Sequence, residues 1–123
     1  MNSGQRLLTE ASYLMKKAKI YMHDEWAGVL TEDSEGYHFA YQKEYVSEGG
    51  EPISLTMPLT DKIYHSAILF PFFDGLIPEG WLLEIAEKSW KINVRDRMSL
   101  LLATCRDCIG AVSVEPVDAE ENE

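Results

Sequence analysis

The spacing of apolar residues changes once along the chain, from every second position to every third or fourth, and this change separates predicted strands from predicted helices. Three alternating runs come first, with short polar turns between them. Alternation with a period of two is typical of a strand that has one buried face. The sequence therefore predicts a hairpin of strands at 18–22 and 26–30, followed by a third strand at 37–42.

Two more strands are predicted farther along the chain. Apolar and polar residues alternate over 53–57, between the glycine pair at 49–50 and Pro58. This pattern predicts a fourth strand that the proline ends. The apolar run at 111–114, just before Pro116, predicts a last strand that closes the sheet.

Helical spacing occurs between the fourth and the last strand. One helix is predicted to begin near Pro78 or Glu79, because a proline and an acidic residue both suit a first turn. A second helix is predicted from Asn93, which with Asp96 three residues later resembles a capping arrangement. Its apolar positions recur at helical intervals: Val94, Met98, Leu101, Leu102 and Cys105. Four strands, two short helices and one strand indicate an α+β domain.

Length and charge narrow the possible functions. A chain of 123 residues with 46% hydrophobic content has room for one small core. Lys and Arg total 11 against 21 Asp and Glu, so the net charge is −10, which opposes direct binding to nucleic-acid phosphates. The predicted domain spans 15–116, and 117–123 is predicted to be an acidic, disordered tail. The extension at 1–14 is either a short helix or a frayed end.

The sequence predicts no catalytic, cofactor or metal site. His23, His38 and His65 are scattered singly along the chain. Cys105 and Cys108 form a lone Cys-x-x-Cys at the end of a predicted helix, where the helix dipole does not lower a thiol pKa, so reduced and packed thiols are expected. No apolar run approaches the length of a membrane span, and the N-terminus lacks a signal-peptide pattern. We therefore expect a cytoplasmic protein.

The segment at 70–81 combines four aromatic residues, two prolines and two glycines in twelve positions. It reads Phe-Pro-Phe-Phe-Asp-Gly-Leu-Ile-Pro-Glu-Gly-Trp. Proline fixes one backbone torsion and glycine allows unusual ones, so such a segment can hold large side chains in one irregular conformation. Recognition loops need this property. The alternative is that most of its apolar residues simply cap a small core.

Three blocks of sequence resemble the N-terminal subdomain of the HipA family of bacterial toxin kinases. They are the aromatic segment at 70–81, the run Arg106-Asp107-Cys108-Ile109-Gly110-Ala111-Val112, and the opening hairpin with Lys19-Ile20-Tyr21-Met22 and Trp26-Ala27-Gly28-Val29-Leu30. The resemblance covers roughly 17–116 and implies a small, curved, barrel-like sheet, mostly antiparallel, of about five strands covered by two short helices. The chain contains no Gly-x-Gly-x-x-Gly, P-loop or His-Arg-Asp motif, so the phosphate-binding and catalytic elements of a kinase are not expected in it.

The resemblance implies a HipS-like antitoxin of a split, three-gene toxin–antitoxin system of the HipBST type. Such a protein binds a HipA-like (HipT-type) kinase encoded as a separate chain, and blocks its phosphorylation of an aminoacyl-tRNA synthetase. The resemblance also implies a helix-turn-helix DNA-binding partner of the HipB type in the same complex, which would supply any operator binding. The chain itself is expected to be no enzyme and to contact neither nucleic acid nor membrane.

Partner binding is assigned to the aromatic segment, at Trp81, Phe72, Phe73, Asp74 and Glu79. Trp81 follows Gly80 at the predicted start of a helix, off its main apolar stripe. An exposed tryptophan there is a strong anchor for a partner, because it buries a large area while only two torsions are fixed. The alternative, that Trp81 packs back on Phe72 or Phe73, stays open.

Three other functions compete with this one. The first is a non-catalytic structural module, or a remnant, of a full HipA kinase. The second is a small enzyme that uses Asp74, Glu79, Glu84 or Asp107, although carboxylates without a partnered His, Ser or metal are more often caps or solvated groups. The third is a DNA-binding antitoxin, which the acidic charge opposes.

Overall fold

A computed structural model describes residues 16–80, 96–105 and 111–117. Several sequence-based assignments lie outside these ranges. They concern the predicted helix beyond Gly80, the Trp81 side chain, and the terminal segments 1–14 and 117–123, of which Val117 alone is described and ends a strand.

The described residues form a five-stranded antiparallel sheet that does not close into a barrel. The strands are β1 (Lys16–Met22), β2 (Glu25–Asp33), β3 (Gly36–Tyr41), β4 (Tyr64–Ser66) and β5 (Val112–Val117). Their order is β4-β3-β2-β1-β5, which confirms the α+β class, the first three predicted strands and the last one. β5 continues through Pro116, which fits because β5 lies at the sheet edge, where a missing N–H costs least.

The hairpin of β1 and β2 is built on a two-residue turn. His23 and Asp24 have positive φ angles of 52° and 70°, and this left-handed pair matches the twist of the two strands. The register shifts between Ile20 and Tyr21, so the hairpin carries a β-bulge. A bulge increases the local twist and helps the sheet to curve around its core.

The prediction of a fourth strand at 53–57 is wrong. These residues form a turn, and the fourth strand is β4. The hydroxyl of Tyr41 explains the difference, because it accepts a hydrogen bond from Ile53 N at 3.0 Å and donates one to Met57 O. Ile53 and Met57 are therefore both buried, while Leu55 between them is 98% exposed. The alternation in the sequence comes from this turn and not from a strand.

The structure describes three short helices: α1 (Lys43–Ser47), α2 (Pro71–Asp74) and α3 (Arg97–Thr104). The sequence did not predict α1 or α2, since one turn is too short to show a helical period. α3 is the second predicted helix, but it begins later than expected. Asp96 is its N-cap and accepts hydrogen bonds from the Ser99 backbone N at 3.0 Å and the Ser99 hydroxyl at 2.8 Å. Asn93 lies outside the described residues.

The core lies between the inner face of the sheet and α3. Its fully buried side chains include Ala18, Ile20, Leu30, Phe39, Met98, Leu100 and Leu101. Burial of one large apolar side chain stabilises the fold by about 1.5–3 kcal/mol. Within the described ranges no polar or charged residue is buried, so a functional site in this part of the chain must lie at the surface.

Cys105, which follows α3, is fully buried and disulfide-bonded. The prediction of reduced thiols is therefore wrong for this residue. Neither a reducing compartment nor the lack of a helix-dipole effect on the thiol pKa excludes a bond that the local geometry permits. Two cysteines three positions apart beyond a helix end can nevertheless come within bonding distance.

Candidate partner-binding surface

The aromatic segment begins with a helical turn, in place of the wholly irregular loop that its composition predicts. Pro71 begins α2, where its missing N–H costs nothing. Asp74 N donates to Phe70 O at 2.9 Å, and Gly75 N donates to Pro71 O at 2.9 Å. Two further turn hydrogen bonds follow directly. The backbone over 71–77 is therefore held in one conformation by its own hydrogen bonds.

Phe73 anchors this segment in the core. It is fully buried, and its ring centroid lies 5.6 Å from that of Phe39 and 6.2 Å from that of Phe70. Aromatic pairs at these distances contribute beyond their buried area. The segment is thus fixed from below by a contact with β3, an inner strand of the sheet.

The outward side of the segment stays accessible. Phe72 is half-buried, while Pro71, Pro78 and Glu79 are exposed. Ile68, just before the segment, is 69% exposed. Apolar side chains held at the surface on a fixed backbone are typical of a protein-binding site.

The structure describes four of the five residues assigned to partner binding. Phe72, Asp74 and Glu79 keep accessible side chains, whereas Phe73 lies in the core. Trp81 lies outside the described residues. Phe73 can therefore support the surface from beneath but offers no area for direct contact.

An ion pair ties the segment to α3. Arg97 Nε donates to Asp74 Oδ1 at 2.6 Å, and both side chains are partly exposed. The hydrogen bond to Asp74 raises the pKa of Arg97 above its already high ordinary value, so the pair stays charged at neutral pH. A charge-assisted bond of this kind fixes the orientation of the two elements that it joins.

A shallow pocket of about 270 Å³ lies where the segment meets α3. Ile68, Leu69 and Pro71 form its apolar side, and Asp74 and Arg97 form its charged side. This pocket combines the two features that recognise a partner side chain, an apolar wall and a fixed charge.

Sequence reasoning missed Ile68 and Arg97. Ile68 belongs to four consecutive apolar residues at 67–70, and one strand face or helix face cannot bury all four, so an exposed member could have been expected. Arg97 gives no local signal, because its partner Asp74 is 23 positions away.

A larger groove of about 510 Å³ follows the β5 edge of the sheet. Tyr21, Asp24 and residues 113–116 line it, and the Tyr21 hydroxyl donates to Glu115 Oε1 at 2.9 Å. The pKa of Tyr21 is raised mainly by burial, and to a smaller extent by this hydrogen bond and by the negative charge of Glu115. The phenol and the carboxylate of this groove already satisfy each other, so we place the candidate site at the aromatic segment.

The aromatic segment supplies groups suited to binding, which are accessible apolar side chains and a paired charge. Within 16–80, 96–105 and 111–117 there is no group of three or more metal-ligating side chains. In the same residues no helix has the length and apolar character needed to cross a bilayer. Among the carboxylates considered for catalysis, Asp74 is paired with Arg97, and Glu84 and Asp107 lie outside the described ranges.

Comparisons with known proteins identify a family, a related sequence and a related structure. Residues 18–115 match the family model of the HipA N-terminal domain. A Haemophilus influenzae protein described as uncharacterized is 35% identical over 102 residues, which cover 83% of this chain and 93% of that protein. A solved structure of the N-terminal domain of HipA toxin is 31% identical with a TM-score of 0.66, and the match covers 83% of this chain and 92% of the solved chain.

Proposed function

This chain belongs to the family of HipA N-terminal domains, and from this premise we propose that it is an antitoxin that binds and inhibits a HipA-like serine/threonine kinase supplied as a separate chain. Inhibition in trans needs a preformed surface that is complementary to the kinase. Once inhibited, the kinase no longer phosphorylates its substrate, an aminoacyl-tRNA synthetase.

The observation that carries the proposal is the two-sided character of the aromatic segment. Its underside is fixed by buried Phe73, whereas Phe72 and Glu79 remain accessible above. A surface that is already rigid before binding loses little conformational entropy in the complex. We propose that Phe72, Asp74, Glu79 and Trp81 contact the kinase, and that Phe73 holds them in place.

The Haemophilus influenzae relative supports action as a free domain. The match covers 93% of that protein, so little of the relative lies beyond this domain. A domain that occurs in this form needs a partner in trans if it is to act on a kinase.

We assign no catalysis to this chain, because the family that it matches is the N-terminal domain of HipA and not the kinase domain. We assign DNA contact to a helix-turn-helix partner of the HipB type in the same complex. The net charge of −10 on this chain opposes its own binding to DNA phosphates. The complex is proposed to form in the cytoplasm.

The proposal is tested by mixing the purified chain with a purified HipA-like kinase from the same genome. Co-elution on gel filtration measures binding, and transfer of labelled phosphate to the synthetase measures inhibition. Leu55→Ser is a matched control, because Leu55 is 98% exposed and lies outside the aromatic segment. We expect the wild type and this control to inhibit equally, and absence of binding by the wild type would refute the proposal.

A second candidate is a structural module that stabilises a HipA-like kinase without inhibiting it. The similarity to the N-terminal domain of HipA toxin favours this candidate as much as the first, because in that protein the domain is part of the toxin. The same assay separates the two functions. A structural module would raise the melting temperature of the kinase and leave phosphate transfer intact.

A further inference from the structure

We propose that the pocket between the aromatic segment and α3 binds a carboxylate side chain of the kinase, an Asp or Glu that lies next to an aliphatic residue. The inference rests on the proposed function, because the kinase is the occupant of the pocket. It specifies which side chains the kinase must place at this point of the interface.

The charged side of the pocket is Arg97. A guanidinium has five N–H donors in one plane, and Arg97 uses one of them, its Nε, for Asp74 Oδ1. The terminal nitrogens make no other hydrogen bond within the described part of the chain. Two parallel N–H groups at the end of a guanidinium match the two oxygens of a carboxylate.

The apolar side of the pocket is Ile68 with Leu69 and Pro71. Ile68 is 69% exposed, so a partner that covers it removes a large apolar side chain from water. An aliphatic residue beside the carboxylate would do this. It would also exclude water from the ion pair, and exclusion of water strengthens a charge interaction.

The pairing of Asp74 with Arg97 explains why a side-chain carboxylate fits better than a free phosphate or a nucleic acid. Asp74 lies in the same pocket, so a multiply charged anion would meet its negative charge as well as the charge of Arg97. The chain as a whole carries a net charge of −10, which repels polyanions. A single carboxylate carries one negative charge, so it meets less of both repulsions than a phosphate or a nucleic acid does.

The test compares Arg97→Gln with Lys43→Gln by calorimetric titration of the full-length protein into the purified kinase. Both substitutions remove one positive charge, but Lys43 is exposed in α1 and does not line the pocket. Only Arg97→Gln removes the fork that binds the carboxylate. We expect Arg97→Gln to bind about tenfold more weakly than Lys43→Gln, the loss of a charge-assisted hydrogen bond, and we expect Arg97→Lys to fall between them.

The apolar side is tested with Ile68→Ser against Ile63→Ser. Ile63 is exposed to a similar extent, 66%, but does not line the pocket. Ile68→Ser should bind the kinase several-fold more weakly than Ile63→Ser, since it removes most of one apolar contact.

The outcomes separate the two proposals. If the wild type does not bind the kinase, the proposed function and this inference both fail. If the wild type binds and inhibits, but Arg97→Gln equals Lys43→Gln and Ile68→Ser equals Ile63→Ser, the pocket inference alone is overturned. Circular dichroism melts of all variants identify any that do not fold, and Arg97→Lys, which keeps the positive charge but not the fork, replaces Arg97→Gln in the comparison if Arg97→Gln unfolds.

Discussion

The rings of Phe73 and Phe39 lie with their centroids 5.6 Å apart, and both side chains are fully buried. This contact joins the aromatic segment to β3, an inner strand of the sheet. The shape of the proposed kinase-binding surface therefore depends on the same packing that stabilises the fold. Stability and recognition can be separated only by comparing buried and exposed residues of this segment.

The first prediction compares Phe73→Ala with Phe72→Ala. Phe73→Ala should lower the free energy of unfolding by about 3–5 kcal/mol, because it opens a cavity beneath the segment. Phe72→Ala should have a smaller effect on stability but weaken kinase binding, because Phe72 is half-buried and accessible. Urea unfolding and calorimetric titration measure the two effects. Equal effects of the two substitutions on both quantities would contradict the assignment.

The second prediction concerns Trp81, which is proposed as the anchor in the kinase. Trp81→Ala should leave the circular dichroism spectrum and melting temperature nearly unchanged while neutralisation of the kinase is lost, since one central tryptophan can supply 2 kcal/mol or more of binding, by the order of magnitude found in interfaces. A well-folded variant that still neutralises fully would remove Trp81 from the contact and leave Phe72, Asp74 and Glu79 as its candidates.

The third prediction concerns the turn that replaces the expected strand. Tyr41→Phe removes the hydroxyl that bonds Ile53 N and Met57 O, and should lower the free energy of unfolding by roughly 1–3 kcal/mol because two buried backbone groups lose their partner. Tyr64→Phe is the control, since its hydroxyl donates to Pro58 O at an exposed position. A larger loss for Tyr64→Phe would show that the turn does not depend on Tyr41.

The fourth prediction is a pH dependence at the cap of α3. Burial alone would raise the pKa of Asp96, but the hydrogen bonds from Ser99 and the charge of Lys16 outweigh it and lower this pKa. A carboxyl whose pKa is lower in the folded state stabilises the fold at any pH above its unfolded-state pKa, which is near 4. This contribution is lost as the pH falls through the folded-state pKa. At pH 7 the free energy of unfolding of the wild type should exceed that of Asp96→Asn by up to about 1 kcal/mol. This difference should shrink below about pH 4. A difference that urea unfolding shows to be independent of pH would be inconsistent with this assignment.

The fifth prediction concerns Glu32, where ionisation of the carboxyl has the opposite effect on the stability of the fold. Burial is the main cause that raises the pKa of this carboxyl, although Lys16 lowers it, and Glu32 Oε1 is a buried atom without a hydrogen bond. Its nearest cation, Lys16 Nζ, is 3.8 Å away. Ionisation therefore destabilises the fold as the pH rises from about 4.5 through the folded pKa.

Glu32→Gln should consequently raise the free energy of unfolding at pH 7, by up to about 1 kcal/mol. The gain should vanish below about pH 3.5, where Glu32 is protonated in both the folded and the unfolded state. Glu44→Gln, at an exposed position in α1, is the matched control. A loss of stability at pH 7 that is specific to Glu32→Gln would mean that its ion pair with Lys16 outweighs the cost of burial.

Four of the five strands could be predicted from the sequence because their pattern is local, whereas the three-residue strand β4 was missed. Successive residues in the runs around Ile20, Leu30 and Phe39 point to opposite faces of the sheet. The period of two is therefore visible without knowledge of the adjacent strands. At 53–57 the same pattern arises from a turn that Tyr41 stabilises from another strand. No local pattern distinguishes the two cases.

The candidate site was predicted only in outline. The proline, glycine and aromatic content of 70–81 marks the segment, but does not show that Phe73 is fully buried while Phe72 stays partly accessible. The contribution of Arg97 depends on a contact with Asp74 across 23 positions, which no sequence period encodes. The family was recognisable because the conformation of the segment demands particular residue types in a fixed order.

The central claim, that this chain inhibits a HipA-like kinase through the aromatic segment, is tested most directly by one titration. Increasing amounts of the wild-type protein are added to a fixed amount of the kinase with its aminoacyl-tRNA synthetase substrate and labelled ATP, and transfer of phosphate is measured. We predict that transfer falls to background near equimolar protein, and that Phe72→Ala requires a large excess to reach the same point. Undiminished phosphate transfer in the presence of saturating wild-type protein would contradict the claim.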